Sequence, residues 1–283
     1  MIRSFCWLVL ILLPNFALGG QITVSPAITE DSSITISGAL DAGVKWIWLK
    51  VDKVGDGSQT QNLFPVLSGV NFSKKVYLKG GAGEYSVTAY QKTTDPQYGP
   101  GYYLIHAFPV TNQDHRNVQF LLPSENVQSD DVQILSKALQ LTAAYSDDVH
   151  KSLAIHDWIA THIAYDVDSL FAGVPRNYTA SETLAGLRAY CSGYANLNAA
   201  LHRAAGIPAK VIIGKATFRG QVEDHAWNEI FADGKWMLED TTWDAGGVQA
   251  ETNSFIFLLS HLYFNPLPES FYLTHGAGAV MPY

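Results

Sequence analysis

Residues 190–208 read YCSGYANLNAALHRAAGIP, a stretch that predicts a helix with a single thiol in its first turn. Leu197 and Leu201 are four residues apart, which places them on one apolar face of such a helix. Gly206 stands where a glycine commonly ends a helix, and Pro208 forbids its continuation. We therefore expect a well-defined helix that packs against a core.

Cys191 places a potentially reactive thiol in the first turn of this predicted helix. The first turn of a helix leaves backbone N–H groups unpaired and carries the positive end of the helix dipole. Both features favour the thiolate over the thiol. Free cysteines are otherwise among the most buried side chains of proteins, so an inert, packed thiol is the alternative interpretation.

The first residues have the pattern of a secretory signal peptide. Arg3 is followed by a short apolar run over residues 6–13, and residues 17–19 form a small-x-small cleavage site. The run is shorter than the roughly 20 residues that a membrane span needs. We expect residues 1–20 to be removed from an exported protein, whether secreted, periplasmic or at the cell surface; a retained anchor is the alternative.

Cysteine count and charge narrow the possible functions. The chain has 2 cysteines, and Cys6 lies in the predicted signal peptide, so the mature protein would keep Cys191 alone. An unpaired thiol in an oxidising compartment indicates either burial or use. A net charge of −8 without a Lys/Arg run does not favour nucleic acid or an anionic membrane as a partner.

The pattern of apolar residues differs between residues 21–121 and residues 122–283, which predicts two domains and an α+β protein. The first segment has short alternating stretches separated by glycine-rich turns, the pattern of an immunoglobulin-like antiparallel β-sandwich. It contains no catalytic cluster, so a spacer, an interaction module or a cap is expected there. The second segment becomes helical and then returns to strands.

Two capped helices are predicted at the start of the second domain, after residues 129–131 and 146–148. Each carries three apolar residues on one face, those of the second helix pointing inward. They are Val132, Leu135 and Leu139 in the first helix, and Ile155, Ile159 and Ile163 in the second.

Three histidines near the second helix do not predict a metal site. His150, His156 and His162 are six residues apart, and this spacing does not stack them on one helix face. No His-Glu-x-x-His motif occurs. We therefore predict no metal and no cofactor.

An Asp-Gly pair at Asp233 and Gly234 predicts a β-hairpin with a two-residue turn. Counting outward from that turn places His225 and Asp240 on the same face as diagonal neighbours, and Glu239 on the opposite face. Asp240 is then the natural partner of His225. A loop with an odd number of residues, or a bulge, would favour Glu239 instead.

These parts match the requirements of a cysteine nucleophile. Cys191 is expected to attack, His225 to take the thiol proton and later protonate a leaving group, and Asp240 to orient the imidazole. The backbone N–H of Cys191 is suited to an oxyanion. Tyr165 is a tentative second donor, and Trp227 a tentative substrate wall for which simple packing is the alternative.

Four segments carry a resemblance to the transglutaminase-like superfamily, which has papain-like architecture. The segments are YCSGYA (190–195), GIPAKV (206–211), HAWNE (225–229) and DGKWMLEDTTWD (233–244). The resemblance, which covers roughly residues 129–264, implies a central helix packed on an antiparallel sheet. It also implies Cys191, His225 and Asp240 as nucleophile, base and orienting carboxylate. No calcium-binding pattern is visible, so a calcium requirement is not expected.

The predicted function is that of a thiol enzyme that acts on amide bonds of proteins or peptides through an acyl-enzyme. Attack by water would give a protease or deamidase, and attack by an amine would give cross-linking. Hydrolysis is the preferred interpretation because water is always available. The alternatives are acyl transfer to amines, a non-catalytic extracellular binding module in which the fold is only a scaffold, and a metal enzyme.

Overall fold

A computed structural model of the chain describes residues 22–39, 46–67, 71–93, 101–174, 176–249 and 251–281. The predicted signal peptide lies outside the described residues. In the described part of the chain, no helix is both long and apolar enough to cross a membrane.

The N-terminal region consists of two sheets with strand orders β1-β3-β6 and β2-β8-β7-β4-β5, antiparallel except at the β2–β8 pair. The strands are β1 (Ile22–Ser25), β2 (Ile28–Thr29), β3 (Ser33–Ala39), β4 (Trp46–Lys53), β5 (Asp56–Leu67), β6 (Asn71–Tyr77), β7 (Gly83–Thr93) and β8 (Gly101–Asn112). Both sheets contribute to one buried cluster, which includes Ile36 from β3 and Val87 from β7. The immunoglobulin-like assignment of this region stays a prediction.

The C-terminal region is mixed, with helices preceding a sheet of order β13-β12-β11-β16. Its helices are α1 (Val132–Thr142), α2 (Asp148–His162), α3 (Val167–Phe171), α4 (Ala180–Gly186), α5 (Cys191–Ala204), α6 (Thr241–Asp244) and α7 (Pro268–Phe271). Its strands are β9 (Ala164–Tyr165), β10 (Arg188–Ala189), β11 (Ala209–Phe218), β12 (Gln221–Ala232), β13 (Lys235–Glu239), β14 (Gly246–Gln249), β15 (Ser254–Phe257) and β16 (Ala279–Val280).

Helix α5 is the centre of this region, as the sequence predicts. Every residue from Gly193 to Arg203 is buried. The helix packs against α1, α2 and α4, and against strands β11 and β12. Gly206 follows it with a φ of +81°, in the left-handed region where glycine costs least.

The β12–β13 hairpin has the predicted two-residue turn. Ala232 pairs with Lys235, and Asn228 pairs with Glu239. Asp233 and Gly234 have φ values of +48° and +83°, the left-handed conformations that a type I′ turn requires. The parity expected for His225, Asp240 and Glu239 is therefore present.

The apolar face predicted for α1 does not face the core. Asp131 caps this helix through its side chain, as expected. Val132 and Leu139 are 76% and 69% exposed, whereas Ile134 and Ala138 are buried. Helix α1 packs closely on α5, and that contact takes up the face with the small Ala138. In α2, Ile155 and Ile159 are buried as predicted, as is Ile163 at its C-cap.

Candidate active site

Cys191 is the first residue of α5 and follows the helix N-cap, Tyr190. Its thiol is free and half-buried. The short parallel pair of β10 and β9 places Ala189 beside Tyr165, just before the helix begins. The side chain is therefore held at a helix N-terminus, with part of its surface open to solvent.

Gly193 allows this first turn to pack closely. A Cβ atom at that position would lie 2.4 Å from the Cβ atom of Ala189 and 2.7 Å from that of Tyr178. Both neighbouring atoms are attached directly to the backbone, so neither moves without shifting the chain. The glycine thus allows the first turn of α5, which carries Cys191, to pack directly against β10.

His225 lies on β12 opposite Gly214 of β11, and it is buried. Its Nε2–H donates a hydrogen bond of 2.8 Å to Oδ2 of Asp240. The ring lies 5.1 Å from that of Trp243, centroid to centroid. Strand, carboxylate and aromatic neighbour together set the orientation of the imidazole.

Asp240 is the N-cap of α6, immediately after β13. Its Oδ1 accepts hydrogen bonds from the backbone N–H groups of Thr242 (2.9 Å) and Trp243 (3.3 Å). Its own backbone N–H donates to the carbonyl of Tyr263 at 3.0 Å. The capping interaction fixes one carboxylate oxygen and leaves Oδ2 directed at His225.

The charges of the three side chains are coupled. Burial opposes a charge on His225, but the Asp240 carboxylate and, to a smaller extent, Cys191 raise its pKa to about 10. Burial works to raise the pKa of Asp240, but His225 and His275 hold it well below its ordinary value. Because Asp240 occupies Nε2 of His225, Nδ1 is the ring nitrogen left for the thiol.

His275 is a site residue that the sequence does not reveal. Its Nε2 lies 3.2 Å from the same Asp240 Oδ2, and its ring is buried. It reaches the site because the segment after α7 returns to the sheet, where His275 forms a bridge with Ala216 of β11. No local pattern in the sequence predicts that long-range pairing.

Comparison with known proteins identifies this part of the chain. A profile of the transglutaminase-like superfamily matches residues 136–241. These residues form a transglutaminase-like domain. The profile match includes Cys191, His225 and Asp240.

Two curated relatives and one solved structure illustrate the similarity. Kyphoscoliosis peptidase of Mus musculus is 28% identical over 192 residues, 62% of this chain and 29% of the mouse protein. The Homo sapiens protein of that name is 31% identical over 137 residues, 45% of this chain and 21% of the human protein. A crystal structure from Cytophaga hutchinsonii, of a protein proposed to be a cysteine protease, is 20% identical with a TM-score of 0.40, covering 81% of this chain and 76% of that chain. The chain thus spans less than a third of the length of either peptidase.

The part of the chain that the structure describes includes one group of three residues that offers closely spaced metal-ligand atoms. These are atoms of His225, Asp240 and His275, all within 4.8 Å of one another. A shared metal would need the nitrogen lone pairs directed at it. Here the Nε2 atoms are 2.8 and 3.2 Å from a carboxylate oxygen, which are distances for N–H donors. The arrangement fits a hydrogen-bonded group better than a metal centre.

The two tentative residues differ in their surroundings. Tyr165 is half-buried near Cys191; burial raises its pKa and the thiol raises it further, so its O–H remains a donor. Trp227 is only 2% exposed and packs in a cluster with Ile212 and Phe271. The structure therefore places Trp227 in the core rather than at a surface that substrate could reach.

Glu239 lies on the opposite face from the candidate site, as the parity argument predicts. Its Oε1 accepts a hydrogen bond of 2.9 Å from Nδ1 of His156, and Nε2 of His156 lies 3.2 Å from Asp244. His202 lies beside them, its Nε2 3.9 Å from Glu239. Burial opposes a charge on His156, but Asp244 and Glu239 raise its pKa to about 10. The second face of the hairpin therefore carries a buried ionic cluster.

Proposed function

We propose that this chain is a thiol enzyme that opens amide bonds of proteins or peptides through an acyl-enzyme on Cys191, with water as the usual acceptor. One observation carries the proposal. The free thiol at the start of α5 is close enough to His225 to help raise the pKa of its imidazole, and His225 is hydrogen-bonded to the buried Asp240. This is the succession of nucleophile, base and orienting group that covalent catalysis needs.

In the proposed reaction, the Cys191 sulfur attacks the amide carbon while His225 holds the thiol proton. The carbonyl oxygen becomes an oxyanion, for which the backbone N–H of Cys191 and the O–H of Tyr165 are the proposed donors. His225 then gives its proton to the departing nitrogen, and a thioester remains. Water attacks the thioester with His225 as base, which releases the acid and restores the thiol.

Hydrolysis and acyl transfer share this thioester, so the acceptor decides between them. Water reaches any open site, and both curated relatives carry the word peptidase in their names. These two points support a protease or deamidase. Transfer to an amine, with cross-linking as its result, is the alternative within the same mechanism.

A substrate of protein or peptide size is supported by apolar surface beside the candidate site. Strand β15 packs next to β9, the strand that carries Tyr165. Ile256, Phe257 and Leu258 are exposed there. Exposed apolar side chains on a strand next to the one that carries Tyr165 are suited to contact side chains of a polypeptide.

Export and the role of the N-terminal region belong to the same proposal. The signal-peptide pattern of residues 1–20 supports action outside the cytoplasm. We propose that the two N-terminal sheets form an immunoglobulin-like module that accompanies the catalytic domain. Polar contacts join β6 to the segment before α1, from Lys74 to Glu125 at 2.7 Å and from Tyr77 to Asp130 at 2.8 Å.

The proposal is tested by incubating the wild-type protein, Cys191→Ala and the neighbouring control Ser192→Ala with an unstructured protein such as casein. New N-termini, released ammonia and incorporation of a fluorescent amine are measured in parallel. We expect new N-termini or ammonia with wild type and Ser192→Ala, and none above background with Cys191→Ala. Dominant amine incorporation would replace hydrolysis with transfer. Identical products from all three proteins would contradict the enzyme proposal.

A further inference from the structure

The segment after α7 brings a second histidine to the candidate site. His275 N–H donates to the carbonyl of Phe271 at 3.0 Å, and Gly276 N–H donates to the carbonyl of Lys215 at 2.7 Å. Thr217 N–H donates to the carbonyl of Thr274 at 2.7 Å. These bonds hold the segment beside β11, at the edge of that strand opposite the edge that pairs with β12.

The ring of His275 is clamped in one orientation by aromatic neighbours. It stacks on Phe271 with centroids 3.9 Å apart and planes 16° apart. Trp243 and Trp227 contact it from other sides, with centroid distances of 4.6 and 5.1 Å. A buried ring held on several sides has little freedom to turn its Nε2 away from Asp240.

Two glycines make room for this arrangement. A Cβ atom at Gly214 would lie 2.5 Å from the Trp227 ring, and one at Gly278 would lie 2.4 Å from Ile212. Larger residues at these positions would separate the returning segment from β11. The approach of His275 therefore depends on close packing that the chain provides on both sides of Trp227.

Asp240 then receives four hydrogen bonds on its two oxygens. Thr242 and Trp243 donate to Oδ1 through their backbone N–H groups, and the two histidines converge on Oδ2. An ionised carboxylate only accepts, so Nε2 of each ring carries a proton. All four acceptor positions of the carboxylate are accounted for.

We infer that His275 is a positioning residue that acts on His225 through Asp240, by donating a second hydrogen bond to the carboxylate oxygen that His225 binds. The inference rests on the proposed function, because it assigns His275 a part in preparing His225 for proton transfer. A second donor also shares the negative charge of Oδ2. Asp240 therefore retains the His225 proton less strongly than it would with His225 as its sole side-chain donor.

The titratable groups that interact with the charge of the Asp240 carboxylate come from several elements. His225 faces it from β12 and His275 from the segment after α7. Tyr165 on β9 and Tyr194 on α5 respond to its charge at longer range. Loss of the His275 donor is therefore expected to act first on His225, the other side chain bonded to Oδ2.

The test compares His275→Gln with His275→Met in full-length protein that also carries Cys191→Ala. Gln and Met have similar volumes, but only Gln can donate to Asp240. The titration of His225 is followed by NMR of histidine-labelled protein, with its signal assigned by its loss in His225→Gln. Removing Cys191 lowers the pKa of His225 from about 10, because the thiol contributes to raising it, which brings the titration into an accessible range.

We expect the Gln variant to titrate like the Cys191→Ala parent, and the Met variant to titrate about one pH unit higher, the effect of about one lost charge-assisted hydrogen bond. Thermal unfolding of each variant is measured alongside. If the Met variant does not fold, His275→Phe removes the donor and keeps the stacking on Phe271. Equal His225 titration in the donor and donor-free variants would overturn the inference. Failure of the proposed function would appear elsewhere, as alkylation of Cys191 in the otherwise wild-type protein that does not depend on His225.

Discussion

The Asp240 carboxylate serves two elements at once. Through Oδ1 it caps α6, and through Oδ2 it receives His225 and His275. The cap is made by backbone N–H groups, so the carboxylate is oriented before either histidine contributes. This explains how a residue one position beyond the end of β13 reaches His225 on β12.

The sequence predicts three of the four side chains that meet here. Cys191 is marked by its place at a helix start, and His225 and Asp240 by their spacing from the Asp-Gly turn. Those signals are local, or follow from one short hairpin. His275 is 35 residues from Asp240, and its place depends on how the returning segment pairs with β11, which no local pattern encodes.

The close packing at Gly193 can be tested by a single substitution. Gly193→Ala would force its Cβ atom against Ala189 and Tyr178, so the first turn of α5 must move. We expect a loss of about 1–3 kcal/mol in the free energy of unfolding and a slower reaction of Cys191 with iodoacetamide. Chemical denaturation and alkylation rates measure the two effects.

Gly186→Ala is the matched control, because nothing lies within 4 Å of a Cβ atom at that position in α4. It should leave the alkylation rate unchanged and should not reduce stability, since alanine is the better helix former. Equal destabilisation by both substitutions would show that the close approach at Gly193 does not hold Cys191 in place.

Among the elements, the β12–β13 hairpin separates two groups of charges. Asp240 and His225 lie on one side, and Glu239, with its partner His156, lies on the other. The two-residue turn at Asp233 and Gly234 sets this alternation, and its sequence signal is strong enough to predict it. An added residue in the turn would exchange the two carboxylates.

Helix α1 shows what an element-level prediction leaves open. Val132, Leu135 and Leu139 do share a face, but α5 packs on the other face of the helix, where Ala138 allows close approach. Hydrophobic periodicity identifies a helix face, and it does not say which neighbour will cover that face. The buried role of His156 on α2 is not visible in the sequence for a similar reason, because its partner Glu239 comes from a distant strand.

His156 gives a prediction at the scale of elements, because it joins α2 to β13 and α6. His156→Gln removes one member of a buried ionic group and leaves Glu239 and Asp244 without their cation. We expect a loss of about 3–5 kcal/mol in the free energy of unfolding near neutral pH. His150→Gln on the same helix removes an exposed contact with Asp147 and should cost at most about 1 kcal/mol.

The stability that His156 contributes should depend on pH. Its pKa is raised from 6.5 to about 10 in the folded protein, so the folded state binds the proton more tightly. The contribution is fully present below pH 6.5 and is lost as the pH rises through about 10. Denaturant unfolding of wild type and His156→Gln at several pH values measures it, and a difference that grows toward pH 10 would contradict the assignment.

At the scale of the whole molecule, chain segments far apart in sequence complete the site. The segment after residue 264 lies outside the stretch that carries the family resemblance, yet β16 lies at one edge of the sheet and Gly278 packs against Trp227. The strand-rich first half and the mixed second half are both visible in the sequence. The return of the C-terminal segment is not, because it is encoded in packing against β11 rather than in periodicity.

We expect the fold to bring the Cys191 thiol and its base, His225, together so that the thiol reacts as a nucleophile. The most direct measurement is the pH dependence of Cys191 alkylation by iodoacetamide, in wild type and in His225→Ala. Because the pKa of His225 is raised to about 10, its imidazolium should be present at neutral pH to stabilise the thiolate. We predict that near pH 6 the wild type reacts at least roughly tenfold faster than the variant, and that the rates converge above about pH 9, where an unassisted thiol also ionises. Identical profiles for the two proteins, or a thiol that reacts only after unfolding, would contradict the account.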